Sequence, residues 1–179
     1  MTAKKKNIKK LTEGFWELSR KRQESFLQEL YNLSAQNKNL FQVRLGQDYT
    51  LVFEELKQDI EKNTINRIGK YRKLRLSKIN ETLRNAEKFA LSMHQQIKLR
   101  QCAWRGMLTF IMSFTYTPDR YQESCARHLD KYLLMVKLHI LETSEKNDIY
   151  EAEKAFLMDI ISSGHYLPHI EDVYIKYFT

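Results

Sequence analysis

Apolar residues along this chain recur in steps of three and four, the period of a helix with one buried face. The pattern is strictest after residue 77, where Ile79, Leu83, Ala86, Ala90, Met93 and Ile97 fall on one seam, as in a helix packed lengthwise on another. That seam leads into residues 99–116, LRQCAWRGMLTFIMSFTY, which from Met107 onward are apolar on almost every side. A helix that is hydrophobic all round lies inside a protein or inside a membrane. The continuous apolar run is about half of the roughly twenty residues a membrane span needs, and Arg100 and Arg105 sit close beside it. It is therefore expected to be the buried central helix of the fold, ended at Thr117-Pro118, with Met107, Phe110, Ile111 and Phe114 almost wholly buried.

The other elements are arranged around it. Residues 1–10 are Lys-rich without an apolar period and are expected as a flexible basic tail. Leu11, Phe15, Trp16 and Leu18 make a short amphipathic stretch, and Ser19 can cap a helix carrying Phe26, Leu27, Leu30 and Leu33 on one face. The first turn of that helix is Arg20-Lys21-Arg22, the wrong sign for the positive end of a helix dipole. Local faults of this kind mark candidate binding surfaces. A short helix over 37–45 (Leu40, Phe41, Leu45) stops at Gly46. Tyr49, Val52, Phe53, Leu56 and Ile60 lie along the next, to about Lys62. A break is expected at 94–100.

Beyond Thr117-Pro118, a cap-and-first-turn pair, Tyr121, Cys125, His128, Tyr132, Val136 and Ile140 line a long helix. Ile149, Ala152, Phe156 and Ile160 line another, which Gly164 ends; Pro168 opens the last, with Ile170, Val173, Tyr174 and Tyr177. No stretch shows sustained period-two alternation. The pattern predicts an all-α protein, a single domain over 11–179 with about seven to nine helices around the central one at 99–116 and no internal repeat.

Composition agrees with this. Five Gly and two Pro in 179 residues favour long helices and short turns, and an apolar fraction of 42% is ample for a core. Cys102 and Cys125 form no C-x-x-C and no zinc-type spacing with His, so they read as reduced core residues of a cytoplasmic protein. No apolar run follows the basic opening, and no secretory signal is expected. The net charge of +8 is unevenly spread. Residues 1–105 hold 23 Lys and Arg against 11 Asp and Glu, a net +12; residues 106–179 hold 7 against 11, a net −4. Such asymmetry points to an anionic partner, nucleic acid or an acidic protein surface. The plainer reading is attraction between the halves, or solubility.

The order of helices also carries a resemblance. The opening KKLTEGFWELSRKRQESFLQELYNLSAQNKNLFQVRLG, with its L-x-x-L-S type start, its L-Q-E-L-Y helix (Leu27 to Tyr31) and its short helix ending in Arg44-Leu45, resembles domain-of-unknown-function family 6155, a bacterial family. The segments RLSKINETLRNAEKF (75–89) and IEDVYIKYF (170–178) are similar to that family's middle helix and closing motif. The turn SGHYLPH (163–169) departs from it, keeping one Gly and inserting Pro168. The resemblance implies an all-helical fold and transfers no catalytic residue.

Motifs with a known chemistry are missing: no G-x-x-x-x-G-K, G-x-G-x-x-G, H-E-x-x-H or calcium loop is present. A small helical ribonuclease would carry Arg, four to six residues, then His on one helix. Here nine residues separate Arg84 from His94, seven separate Arg120 from His128, and Arg127-His128 are adjacent. His165 and His169 stand near Glu171 and Asp172, but a polar turn with acids suited to a helix dipole explains them better than a metal site. His128 and His139 read as core or boundary histidines. Glu54, Glu55 and Asp59, like Glu151 and Glu153, read as solvated helix faces. No catalytic residue, metal or cofactor is assigned.

What remains is a basic, aromatic-bearing segment, Arg67, Lys70, Tyr71, Arg72, Lys73, Arg75 and Lys78. With Arg20, Lys21 and Arg22 it is the candidate nucleic-acid contact, Lys and Arg for phosphates and Tyr71 for an unpaired base. The expectation is a non-enzymatic cytoplasmic helical protein that binds a protein partner or nucleic acid, without a membrane association. The alternatives are a nuclease or other enzyme whose site no motif reveals, and a structural subunit of a larger complex.

Overall fold

The computed structural model describes residues 3–46, 49–64, 74–89, 91–114, 116–140 and 142–179. They form helices α1 (Ala3–Glu17), α2 (Arg20–Leu33), α3 (Ala35–Gly46), α4 (Thr50–Thr64), α5 (Leu76–Lys88), α6 (Met93–Met112), α7 (Asp119–His139), α8 (Thr143–Ser162) and α9 (Pro168–Phe178), with no strand among the described residues. The all-α class, with a buried helix at its centre, is as the hydrophobic pattern predicts. No described helix is long and apolar enough to cross a membrane. The chain divides into two compact units, Met1–Asp48 and Tyr49–Thr179.

The first unit is thinly packed. Its Lys-rich opening is helical from Ala3; Lys is a good helix former, and Lys9 pairs with Glu13 at 3.7 Å one turn on. Phe15 meets Phe26 at 6.0 Å between ring centroids, and Tyr31 meets Phe41 at 6.1 Å. Side-chain amides tie the turns: Gln23 donates to the Phe15 carbonyl (3.0 Å) and Asn37 to that of Leu30 (2.7 Å). Yet no residue of α2 is buried, and Trp16 and Leu33 are 70% and 76% exposed.

The second unit holds the core, and α6 runs through it against α4, α5 and α7. Ile97, Leu99, Ala103, Trp104, Met107, Leu108, Phe110 and Ile111 are buried along its length; each fully buried large side chain is worth about 1.5–3 kcal/mol. Phe114, expected inside, is half-buried and packs on Phe110 at 4.9 Å. The central helix is also displaced from the expected 99–116. It begins earlier because Ser92 and Gln95 form a reciprocal capping box, which satisfies backbone N–H groups that a helix start leaves open. Helix α5 ends at Lys88 and α6 starts at Met93, so no break falls at 94–100 and the seam of Ile79 to Ile97 is shared between two helices.

Helix α7 follows the expected stripe: Tyr121, Cys125, His128, Tyr132, Val136 and Ile140 are all buried. Pro168 opens α9 at its first turn, and Gly164 takes φ +83° after α8, a conformation that costs a glycine nothing. On α8 the buried face is rotated from the expected one. Glu153, Leu157 and Ile160 face inward while Ala152 is exposed, so Glu153 is not part of a solvated face. Only 1% exposed, its carboxylate accepts hydrogen bonds from Gln101 (2.5 Å), Arg105 (2.8 Å) and Tyr132 (2.9 Å). A buried charge persists where it is paired and hydrogen-bonded in this way.

Candidate phosphate-binding cavity

Helices α5, α6 and α7 line a half-open cavity of about 530 Å3. On α5 the residues Ser77, Asn80, Arg84 and Glu87 follow steps of three and four, which places them on one face beside the apolar seam of Ile79, Leu83 and Ala86. On α7, Ser124, Arg127, His128 and Lys131 repeat the arrangement. Arg100 enters from α6, between the buried Leu99 and the half-buried Gln101. The walls thus carry four cationic side chains, Arg84, Arg100, Arg127 and Lys131, against one carboxylate, Glu87. None of the four stands within ion-pair distance of a carboxylate among the described residues.

The centre of the cavity is a cross-helix pair. Arg100 Nη1 lies 3.3 Å from His128 Nδ1. A guanidinium has only donors, so Nδ1 accepts and the imidazole proton sits on Nε2. Burial, reinforced by the charges of Arg100, Lys131 and Arg127, pushes the His128 pKa down to about 4; the ring is neutral at neutral pH. Burial also lowers the Arg100 pKa, with Glu87 opposing, but arginine stays charged. Arg100 Nε is buried with no hydrogen-bond partner among the described residues. Such a site can hold an anion: it has donors in excess, positive charge in excess, and partial shielding from water, where charge attraction is stronger than at a surface.

A second cavity, of about 580 Å3, lies between α6, α7 and α8. Glu142, Glu145 and Asp148 line it together with His94, Lys98 and Arg105, Glu145 lies 3.2 Å from His94, and Glu153, also in the lining, is taken up by its three donors. The thiols offer no activated nucleophile: burial raises Cys102 to about 11 and Cys125 higher still. Among the described residues no three His, Cys, Asp or Glu side chains gather as a metal ion would need.

Of the residues singled out in the sequence, Arg67, Lys70, Arg72 and Lys73 lie outside the described residues. Arg75 is exposed at the start of α5, and Lys78, also exposed, pairs with Glu81 at 2.9 Å. Arg20, Lys21 and Arg22 are exposed in the first turn of α2, in the other unit, with Arg20 on Glu24 at 3.2 Å. None of these described residues lines the cavity. The cavity residues themselves escape sequence reasoning for a plain reason. A single-helix Arg-to-His motif does not find a pair 28 residues apart on two helices. The available signal was Arg127-His128 with Lys131 one turn on, three basic or titratable groups in the acidic half of the chain.

Comparison of the chain with family models, curated proteins and solved structures returns no match.

Proposed function

We propose that this chain is a cytoplasmic, non-enzymatic binding protein, of the bacterial family its helix order resembles, and that it takes nucleic acid at the α5–α6–α7 cavity. One observation carries the reading: Arg84, Arg100, Arg127 and Lys131 converge from three helices without a carboxylate partner among the described residues. Cations in excess around a shared space are what phosphate contacts require. The basic residues of 67–78 and of α2 stand as separate candidates for phosphate contact. Titrating a single-stranded oligonucleotide of about 12 nucleotides at low salt tests the reading. Arg100→Gln with Arg127→Gln should weaken binding about tenfold or more, the scale of one charged hydrogen bond. No binding at low salt, or binding indifferent to both replacements, overturns it.

A second reading is a protein partner for the first unit. Leu11, Trp16, Leu33 and Leu45 are largely exposed there, on helices that bury little of their own apolar surface.

A further inference from the structure

The shape of the cavity narrows the ligand beyond nucleic acid in general. A duplex is a rod carrying one phosphate charge per roughly 1.7 Å of its axis, and it is gripped by cations laid out along a surface. Here the cations come from three helices. Arg84 comes from α5, Arg100 from α6, and Arg127 and Lys131 from α7, and all four border one half-open space of about 530 Å3. That size is in the range of small-ligand sites, about 300–1,000 Å3, and fits the end of a strand.

The charge balance points the same way. With His128 neutral, four cations face the single carboxylate of Glu87. A phosphodiester brings one negative charge, whereas a terminal phosphomonoester brings about −1.5 to −2 and three strong acceptor oxygens. The donors suit it: the Arg100 guanidinium is steadied through Nη1 by His128 Nδ1, and a guanidinium fork matches phosphate oxygens two at a time. Ser77, Asn80 and Ser124 add neutral hydrogen-bonding groups to the same wall.

We infer that the α5–α6–α7 cavity is a seat for a terminal phosphate group, the phosphomonoester at the end of a nucleic-acid strand or on a free nucleotide, held by Arg84, Arg100, Arg127 and Lys131. This rests on the nucleic-acid reading above and adds to it the part of the ligand that enters the cavity. His128 is a positioning residue: it holds Arg100 and contributes a neutral ring, so that the positive charge stays on the side chains that meet phosphate.

The test uses the full chain and single-stranded oligonucleotides of one sequence, ending in 5′-phosphate, 3′-phosphate or hydroxyls only, with a nucleoside monophosphate and inorganic phosphate as competitors. One phosphorylated end should bind about tenfold or more tightly than the hydroxyl-ended strand, the scale of one added charged hydrogen bond. Arg100→Gln should abolish that preference, and Arg100→Lys should retain part of it. Because Arg100 is half-buried, Arg84→Gln, on an exposed residue of α5, provides a second variant that should reduce the preference with the fold intact by circular dichroism. Competition by the nucleoside monophosphate assigns the seat to a free nucleotide; its failure beside a bound phosphorylated strand assigns it to a strand end. Equal affinity for phosphorylated and hydroxyl ends overturns the inference and leaves the nucleic-acid reading standing. Binding of the monophosphate without any oligonucleotide removes the nucleic-acid reading and keeps the seat. No binding of any probe removes both.

Discussion

Replacing Gly106 with alanine sets two effects of opposite sign against each other. In an exposed helix interior the change is worth about 1 kcal/mol in favour of alanine. Gly106, however, lies where α6 crosses the end of α4. A Cβ there would stand 2.7 Å from Thr64 Cβ and closer still to Thr64 Oγ1, whereas carbon atoms rest at about 3.5–4.0 Å. Rotating the threonine moves its hydroxyl but not its Cβ, which the backbone fixes. The hydroxyl is itself committed, donating to the Ile60 carbonyl at 3.0 Å from a side chain that is buried. The helices must therefore separate by about 1 Å. Overpacking costs about 1–3 kcal/mol, and disturbing the Thr64 hydrogen bond about 1 more. The balance is a loss of about 1–3 kcal/mol, or a fall in Tm of about 2–12 °C for a chain of this size. Thermal unfolding followed by circular dichroism measures it. Gly14→Ala is the control, because nothing lies within 4 Å of a Cβ at that position, and it should be neutral or stabilising. Combining Gly106→Ala with Thr64→Gly should recover part of the loss as a coupling between the two sites. A Gly106→Ala protein as stable as the parent would refute the close α4–α6 approach.

Two further outcomes follow from the buried polar groups. Glu153→Leu should lower stability by about 3 kcal/mol in urea unfolding, since it orphans Tyr132, Gln101 and a partly buried Arg105 at once; a neutral effect would mean that the carboxylate is not held by these groups. His128, with its pKa depressed to about 4 from an ordinary 6.5, binds its proton more readily in the unfolded chain, so stability is full above about pH 6.5 and declines as pH falls towards about 4, by up to roughly 3 kcal/mol. The unfolding midpoint should drop across that window in the parent and drop less in His128→Asn; equal slopes would show the imidazole to be hydrated rather than buried.

The helical stripes of α7 and α9, the stop at Gly164 and the start at Pro168 are legible in the sequence because each depends on residues within one or two turns. Burial of Glu153 is not. Its neighbours Glu151 and Ala152 look equally solvated, and what brings it inward is a donor set from α6 and α7, about 20 to 50 residues away along the chain. The break between α5 and α6 is hidden for a different reason: Ala90 and Met93 continue the apolar period of the sequence across it, while the signal that starts α6 is polar, the Ser92–Gln95 capping box. The cavity combines both difficulties. Periodicity places Arg84, Arg100 and Arg127 on their own helices, but only the packing of three helices sets them around one space.

The central claim, that phosphate enters the α5–α6–α7 cavity, is tested most directly by the salt dependence of binding. Each phosphate charge that ceases to be neutralised should reduce the slope of log affinity against log salt by about 0.7 for a single strand. Two proteins are compared with the parent: one with Arg84, Arg100 and Arg127 changed to Gln, the other with Arg72, Lys73 and Arg75 changed to Gln. If the cavity holds one terminal phosphate, the first set flattens the slope by about one unit and the second by less. An unaltered slope in the cavity variant, beside a flattened one in the other, would contradict the claim and move the binding site to the basic segment.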